Sequence, residues 1–189
     1  MSSALVISKQ PETAAVISDT LKTLDFSLID TATSSAEGRR RLQETVYDIA
    51  IANTPLGDEF GIDFALDTLE SYDTGVILIV KNDLLAQVEE RLVDSGAFVI
   101  AKPINRQLLL QNIRFVLHAQ EKIRQLTLEN QKLLKKMEDQ KRIFRAKLCI
   151  MAYLNMTEDE AHRYIQKQAM DQRLTPRQVA DRLIRMYEK

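Results

Sequence analysis

Several side chains that could take part in chemistry follow short apolar segments in the first half of the sequence. Ser8 and Lys9 come directly after one such segment, Asn53 ends another, and Lys102 follows a third. Hydroxyl and amide oxygens are neutral, whereas Mg²⁺ sites in proteins normally include one or two carboxylates. An amide is also a very poor phosphoryl acceptor. We therefore expect no metal, no cofactor and no enzymatic activity at these positions.

A second set of candidates lies in the last quarter of the sequence and is mostly basic. Its members are Lys147, Arg163, Tyr164, Lys167, Arg173 and Arg177. Cations can hold phosphate groups, and arginine or tyrosine can stack on an unpaired base. Secondary candidates are Arg142, Arg145, Arg182 and Arg185. Each of these residues alone is equally compatible with a solvated helical surface.

The charge of the chain is unevenly distributed. Residues 1–104 contain 8 Lys and Arg against 17 Asp and Glu, a net charge of -9. Residues 105–141 contain 8 against 4, and residues 142–189 contain 10 against 6, so each of these segments has a net charge of +4. A basic half joined to an acidic half indicates an anionic partner for the basic part, or a solvated helical surface.

Short apolar runs alternate with helical patterns through the first hundred residues. The predicted strands are Ala4–Ile7, Phe26–Ile29, Asp48–Ala52, Val76–Val80 and Phe98–Ala101. The predicted helices between them are Glu12–Leu24, Ala36–Glu44, Ile62–Glu70 and Leu84–Ser95. This alternation predicts an α/β fold, a doubly wound five-stranded parallel sheet with helices on both faces.

The same region resembles the receiver domain of bacterial two-component response regulators, which has a flavodoxin-like fold. The resemblance rests on Asp48-Ile-Ala-Ile-Ala-Asn53, Pro55-Leu-Gly57, Gly96-Ala97 and Lys102-Pro103. It implies an acidic pair after the first strand and a phosphorylated aspartate at the end of the third.

At these functional positions the sequence departs from the receiver pattern. Ser8 and Lys9 stand where the resemblance places the acidic pair, and Asn53 stands at the acceptor position. Val80 replaces a Ser or Thr, so only Lys102 is retained, as a structural residue with Asn53 as a candidate partner. The sequence therefore predicts a pseudo-receiver that aspartyl phosphorylation does not switch. We expect the nearby acids Asp58 and Glu59 to lie in a solvated loop rather than in a relocated metal site.

The stretch from Asn105 to about Leu154 contains neither Pro nor Gly, which predicts a helix of about 75 Å at ~1.5 Å per residue. A seven-residue repeat predicts a dimerisation seam of Val116, Ala119, Ile123, Leu126, Asn130, Leu133 and Met137. An Asn at a seam position favours a parallel, in-register dimer. The alternative is an amphipathic helix packed on the C-terminal helices of its own chain.

Two capping boxes predict the helices that follow. They are Thr157 with Glu160 and Thr175 with Gln178, the second with Pro176 at the first helical position. With the end of the long helix, these helices form a three-helix bundle. The segment resembles the ANTAR domain through Ala146-Lys147, Ile150-Met151, Thr157-x-x-Glu160-Ala161, Ala169-Met170 and Val179-Ala180. This resemblance implies a dimer that binds paired RNA hairpins in nascent transcripts.

Together these features predict three parts: a pseudo-receiver domain (1–118), a coiled-coil linker (119–141) and an ANTAR-like RNA-binding bundle (142–189). The predicted function is RNA-binding transcription antitermination by a homodimer, with a regulatory sensor protein as a further partner. The alternatives are a DNA-binding response regulator and a protein-binding signalling scaffold. The single cysteine, the absence of a signal-peptide pattern and the lack of a membrane-spanning apolar run predict a cytoplasmic protein.

Overall fold

Five parallel strands form the sheet in the first half of the chain. They are β1 (Ser2–Ile7), β2 (Phe26–Ala32), β3 (Ile49–Asn53), β4 (Gly75–Val80) and β5 (Phe98–Ala101). In the computed structural model, which describes residues 2–187, the strands pair in the order β2-β1-β3-β4-β5. The doubly wound parallel sheet predicted from the sequence is thus confirmed. β3 and β4 are buried along their whole length because their apolar runs lie inside the sheet with helices on both faces.

Alternate residues of each strand face two separate layers of helices. The helices are α1 (Pro11–Lys22), α2 (Ser35–Glu44), α3 (Ile62–Ser71) and α4 (Leu85–Leu92), with a 3₁₀ turn at Asn82–Leu84, and α5 (Arg106–Leu154). On one face Leu42 of α2, Phe64 of α3 and Val88 of α4 belong to a common apolar core. On the other face Ile17 of α1 and Ile113 of α5 belong to a second core.

Val116 is part of this second core, which corrects its assignment to a dimerisation seam. Its side chain is 2% exposed and packs beside the start of β4. A Cβ added to Gly75 would overlap Cγ1 of Val116, so glycine is needed there for α5 to approach the sheet. Because Val116 is buried within its own domain, it cannot contact a second chain. The proposed seam therefore begins after Val116.

The chain divides into two compact units, the first unit Met1–Arg124 and the second unit Gln125–Lys189. The division falls within the predicted linker, inside the continuous helix α5. Asn105 caps this helix by accepting a hydrogen bond from the N–H of Leu108 at 3.1 Å. Among residues 2–187, no helix contains a segment both long and apolar enough to cross a bilayer.

The second unit contains the end of α5, α6 (Glu158–Gln172) and α7 (Pro176–Tyr187). Thr157 and Glu160 form the predicted capping box, with both reciprocal hydrogen bonds present. Thr175 and Gln178 also bond reciprocally at the start of α7. The bundle core comprises Ala146, Ile150, Ala161, Ile165, Ala169, Val179, Ala180, Leu183 and Ile184.

Candidate functional site

The ends of four strands bring the receiver-like positions together at one edge of the sheet. Ser8 follows β1, Asn53 ends β3, Val80 ends β4 and Lys102 follows β5. In an open α/β sheet this carboxyl edge is where ligands bind, at the point where the strand order reverses. Here β1 lies between β2 and β3, so the reversal falls beside Ser8 and Asn53.

Asn53 and Ser8 form a buried hydrogen bond. Both residues are 2% exposed, and Nδ2 of Asn53 donates to Oγ of Ser8 at 3.0 Å. The Ser8 hydroxyl in turn donates to the Gln10 carbonyl and accepts from the Gln10 N–H. Oδ1 of Asn53 is buried and has no hydrogen-bond partner among the described residues. These polar atoms are neutral, so they do not provide the carboxylates of a Mg²⁺ site.

Lys102 is held by the main chain rather than by Asn53, and the expected Asn53–Lys102 hydrogen bond is wrong. Its Nζ donates to the Thr54 carbonyl at 2.6 Å. Burial, together with the positive charges of Lys81 and Lys9, lowers the pKa of Lys102 below its usual range. Three cations thus share this edge. No group of three or more His, Cys, Asp or Glu side chains in the described chain is placed to hold a metal.

Asp58 is exposed in a loop, as expected, and its carboxylate also caps the start of α2. Its carboxylate accepts hydrogen bonds from the N–H of Ser35 at 2.7 Å, the N–H of Ala36 at 2.9 Å and the Ser35 hydroxyl at 2.9 Å. Desolvation of the carboxylate works against its ionisation, but these donors lower the pKa of Asp58 to about 2. Glu59 pairs with Arg39 at 3.4 Å. Both acids are therefore engaged in structural contacts.

The predicted seam residues beyond Val116 form an exposed apolar series on α5. Ile123, Leu126, Leu133 and Met137 are 52–57% exposed, Asn130 is exposed, and Ala119 is half-buried. Within the second unit, Leu126, Leu133 and Met137 are therefore not buried on the C-terminal helices, which was the alternative interpretation. Contiguous exposed apolar surface usually marks an interaction site.

The basic candidates of the bundle differ in their surroundings. Arg163, Lys167 and Arg173 are exposed, and Arg163 and Lys167 lie one turn apart on α6. Lys147 is mostly buried and pairs with Glu158 at 3.1 Å. Tyr164 is half-buried against the bundle core, which limits its use as a stacking platform.

Arg177 lies beside acids and a second group of cations. Its guanidinium bonds Asp139 at 2.8 Å and Asp181 at 2.9 Å. It lines a cleft of about 350 Å³ with Glu138, Lys141, Arg142 and Arg145. Lys141 was not among the candidate RNA contacts, although its i,i+4 spacing to Arg145 could have indicated it. Another cleft, of about 240 Å³, contains Arg182 and Arg185 beside Asp181.

Known structures resemble the first unit. A CheY-like receiver domain protein from Methanospirillum hungatei JF-1 aligns with a TM-score of 0.59 and 19% identity, over 65% of this chain and 98% of that one. A receiver domain protein from Clostridium thermocellum aligns with a TM-score of 0.59 and 21% identity, over 65% and 99%. At these identities the likeness concerns the fold, which is that of a receiver domain.

The second unit has its own family match. Residues 131–184 match the ANTAR domain. In this chain, a segment that matches the ANTAR domain thus follows a CheY-like receiver fold. The transcriptional regulatory protein PdtaR of Mycobacterium tuberculosis (strain ATCC 25618 / H37Rv) is 28% identical over 138 residues, covering 71% of this chain and 65% of that protein. The match thus covers less than two thirds of the relative's length.

Proposed function

We propose that this protein is a transcription antitermination regulator whose dimer binds paired hairpins in nascent RNA. The proposal rests on the ANTAR match at residues 131–184, behind a receiver fold. ANTAR domains are RNA-binding modules, and PdtaR is by name a transcriptional regulatory protein. No catalytic group is required for such a role.

The exposed cations on α6 and directly after it are the first candidates for RNA contact. Arg163, Lys167 and Arg173 are exposed to water. They can therefore contact phosphate without first breaking an intramolecular ion pair. Lys147 and Arg177, by contrast, would have to leave Glu158, Asp139 or Asp181. We therefore rank these three exposed cations above the paired ones. Arginine also presents a planar face for stacking on an unpaired loop base.

Dimerisation through α5 would place two ANTAR domains side by side. The exposed series Ile123, Leu126, Leu133 and Met137 supplies the apolar positions of a heptad seam. Asn130, in the middle of the series, favours a parallel partner in register. Two bundles at the same end of such a pair suit a target with two hairpins.

Control would not use aspartyl phosphorylation. The acceptor position carries Asn53, whose amide is hydrogen-bonded to Ser8 instead of coordinating a metal with acidic neighbours. A regulatory sensor protein that binds the acidic first unit, or α5, would then govern dimerisation or access to RNA. The net charge of -9 in residues 1–104 would be complementary to a basic surface on that partner.

The test is binding of the full chain to a paired-hairpin RNA and to duplex DNA, measured by fluorescence anisotropy over a range of KCl concentrations. We expect tighter binding to the RNA, with affinity falling steeply as salt rises. Replacing both Arg163 and Lys167 by Gln should reduce the log–log salt slope by about 0.7–0.9 per cation. Lys22→Gln, an exposed cation of α1, is the matched control.

The two other functions predict different results in the same assay. Equal or tighter binding to duplex DNA would indicate a DNA-binding response regulator. Absence of salt-dependent binding to either nucleic acid would leave a protein-binding scaffold.

A further inference from the structure

An open cleft of about 350 Å³ lies at the carboxyl edge of the sheet, between the start of α1 and the segment after β5. Asn53, Lys102 and Thr13 contribute polar groups to its lining, while Val16, Pro103 and Ile104 contribute an apolar wall. Its volume falls at the lower end of the range for small-molecule sites. All of these residues belong to the first unit.

Asn53 lines this cleft, and one polar atom of its side chain is unsatisfied. Its Nδ2 is used by Ser8, but Oδ1 is buried without a donor among the described residues. The Ser8 hydroxyl cannot supply a proton, because it donates to the Gln10 carbonyl. Lys102 donates to the Thr54 carbonyl. A buried polar atom without a partner costs free energy that a ligand donor would recover.

The same cleft has a positive electrostatic character. Lys102 contributes an ammonium group, and the charges of Lys9 and Lys81 act on it from the neighbouring strand ends. The 12-residue helix α1 begins at Pro11 without a side-chain cap, which leaves the N–H groups of Glu12 and Thr13 for an external acceptor. A helix N-terminus favours an anion. The exposed Glu12 at the rim is the opposing charge.

We propose that this cleft binds a small organic anion, specifically a short aliphatic carboxylate with a hydroxyl group next to the carboxylate. The carboxylate is held by Lys102 and the first-turn amides of α1. The hydroxyl donates to Oδ1 of Asn53, and the aliphatic body lies against Val16, Pro103 and Ile104. A receiver edge that has lost its acids thereby becomes an anion site. Binding here needs no RNA, so it stands independently of the antitermination role.

The experiment is a ¹H–¹⁵N NMR titration of the full chain at constant ionic strength. The probes are 2-hydroxyisovalerate, isovalerate, which lacks the hydroxyl, and inorganic phosphate. We expect 2-hydroxyisovalerate to give saturable shifts of the Asn53 side-chain amide and of the Glu12 and Thr13 amides. Isovalerate should bind about tenfold more weakly, because one hydrogen bond to a buried acceptor is lost.

Two variants test the assigned contacts. Lys102→Gln should weaken binding of 2-hydroxyisovalerate about tenfold or more, since a charge-assisted hydrogen bond is removed. Because Lys102 also bonds the Thr54 carbonyl, Glu12→Gln at the exposed rim provides an independent test. It should strengthen binding about threefold by removing a like charge. Lys22→Gln, away from the cleft lining, should leave affinity unchanged.

Three results would overturn the proposal. No saturable shift at these amides would show that the cleft does not bind the probe. Phosphate binding as tight as that of 2-hydroxyisovalerate would show that the apolar wall and the hydroxyl contribute nothing. Unchanged affinity in both Lys102→Gln and Glu12→Gln would place the anion elsewhere.

Discussion

The side-chain amide of Asn53 donates a 3.0 Å hydrogen bond to the hydroxyl of Ser8, joining the ends of two adjacent strands. Both side chains are buried, and the Ser8 hydroxyl continues the network to Gln10. A bond between neutral groups thus occupies the edge where the receiver resemblance implies acids and a metal. The network is complete except for Oδ1 of Asn53.

Restoring aspartate at the acceptor position alone should not restore phosphorylation. In Asn53→Asp the donor to Ser8 is lost and a carboxylate is buried, so the free energy of unfolding should fall by about 1–3 kcal/mol. Ser8 and Lys9 still provide no carboxylate for Mg²⁺. Urea denaturation measures the first effect, and mass spectrometry after treatment with acetyl phosphate and Mg²⁺ measures the second.

The triple variant Ser8→Asp, Lys9→Asp and Asn53→Asp is the matched comparison, because it supplies all three carboxylates. It should gain Mg²⁺-dependent phosphorylation that the single variant lacks. An acyl phosphate on the wild-type first unit, or on Asn53→Asp alone, would contradict a phosphorylation-independent receiver.

The sheet could be predicted from the sequence because its buried strands are uninterrupted apolar runs. Val76–Val80 matches β4 to within one residue, and Phe98–Ala101 matches β5 at both ends. The assignment of Val116 failed for a physical reason. A heptad pattern records only which residues are apolar, and the same spacing serves packing on a sheet or on a second helix. The deciding feature is Gly75, which is distant in sequence.

Asp58 should contribute stability that is lost in acid. Its pKa falls from the ordinary 3.8 to about 2, so its contribution is full above about pH 4 and disappears as pH falls towards 2. Asp58→Asn should lower the free energy of unfolding at pH 7 by about 1 kcal/mol, the usual worth of a capping side chain. Because Asp58 is exposed, solvent screening keeps this loss of stability below the value that its pKa shift alone would imply.

Urea denaturation between pH 2 and pH 7 checks this prediction. The difference between wild type and Asp58→Asn should shrink as pH falls below 4. Asp94→Asn, which changes an exposed carboxylate outside the helix caps, should follow the wild-type curve. A constant difference at all pH values would show that the lost contacts do not depend on ionisation.

Gly75 and Val116 should be energetically coupled. Gly75→Ala places a methyl group in the space of the Val116 side chain, so it should destabilise the first unit by about 1–3 kcal/mol. Val116→Ala in the same chain removes the overlap and should recover part of that loss. A double-mutant cycle by thermal or urea denaturation should give a coupling of about 0.5–3 kcal/mol. Additive losses would show that α5 shifts to accommodate the methyl group.

The functional residues were less predictable than the fold, because sequence spacing does not reveal side-chain partners. Lys102 was expected to bond the Asn53 side chain but bonds the Thr54 main chain, which no residue pattern specifies. In the sequence, Arg177 and Arg163 are alike as arginines of the basic C-terminal segment. In the structure, however, two acids pair with Arg177, one of them 38 residues away. The assignment of RNA contacts therefore stays a prediction, now ranked by exposure and pairing.

Removing an acid from the α7 cleft should strengthen RNA binding. Asp181 pairs with Arg177 at 2.9 Å and lies 3.9 Å from Arg142, so Asp181→Asn would leave both guanidinium groups freer to contact phosphate. The anisotropy assay should show a several-fold gain in affinity and a steeper salt slope. Asp171→Asn removes the same charge from an exposed position of α6 and is the control. Equal gains in both variants would mean that only net charge matters.

Dimerisation should depend on the position of a leucine rather than on its exposure. Leu126 is 52% exposed within the predicted seam, and Leu128 is 51% exposed outside it. In a parallel coiled coil, a charge at the seam is buried against its own copy, whereas a charge off the seam remains in water. Leu126→Glu should therefore convert the protein to monomer in sedimentation equilibrium, while Leu128→Glu remains dimeric. A wild-type monomer would contradict the seam directly, and loss of the dimer in both variants would place the contact on another face of α5.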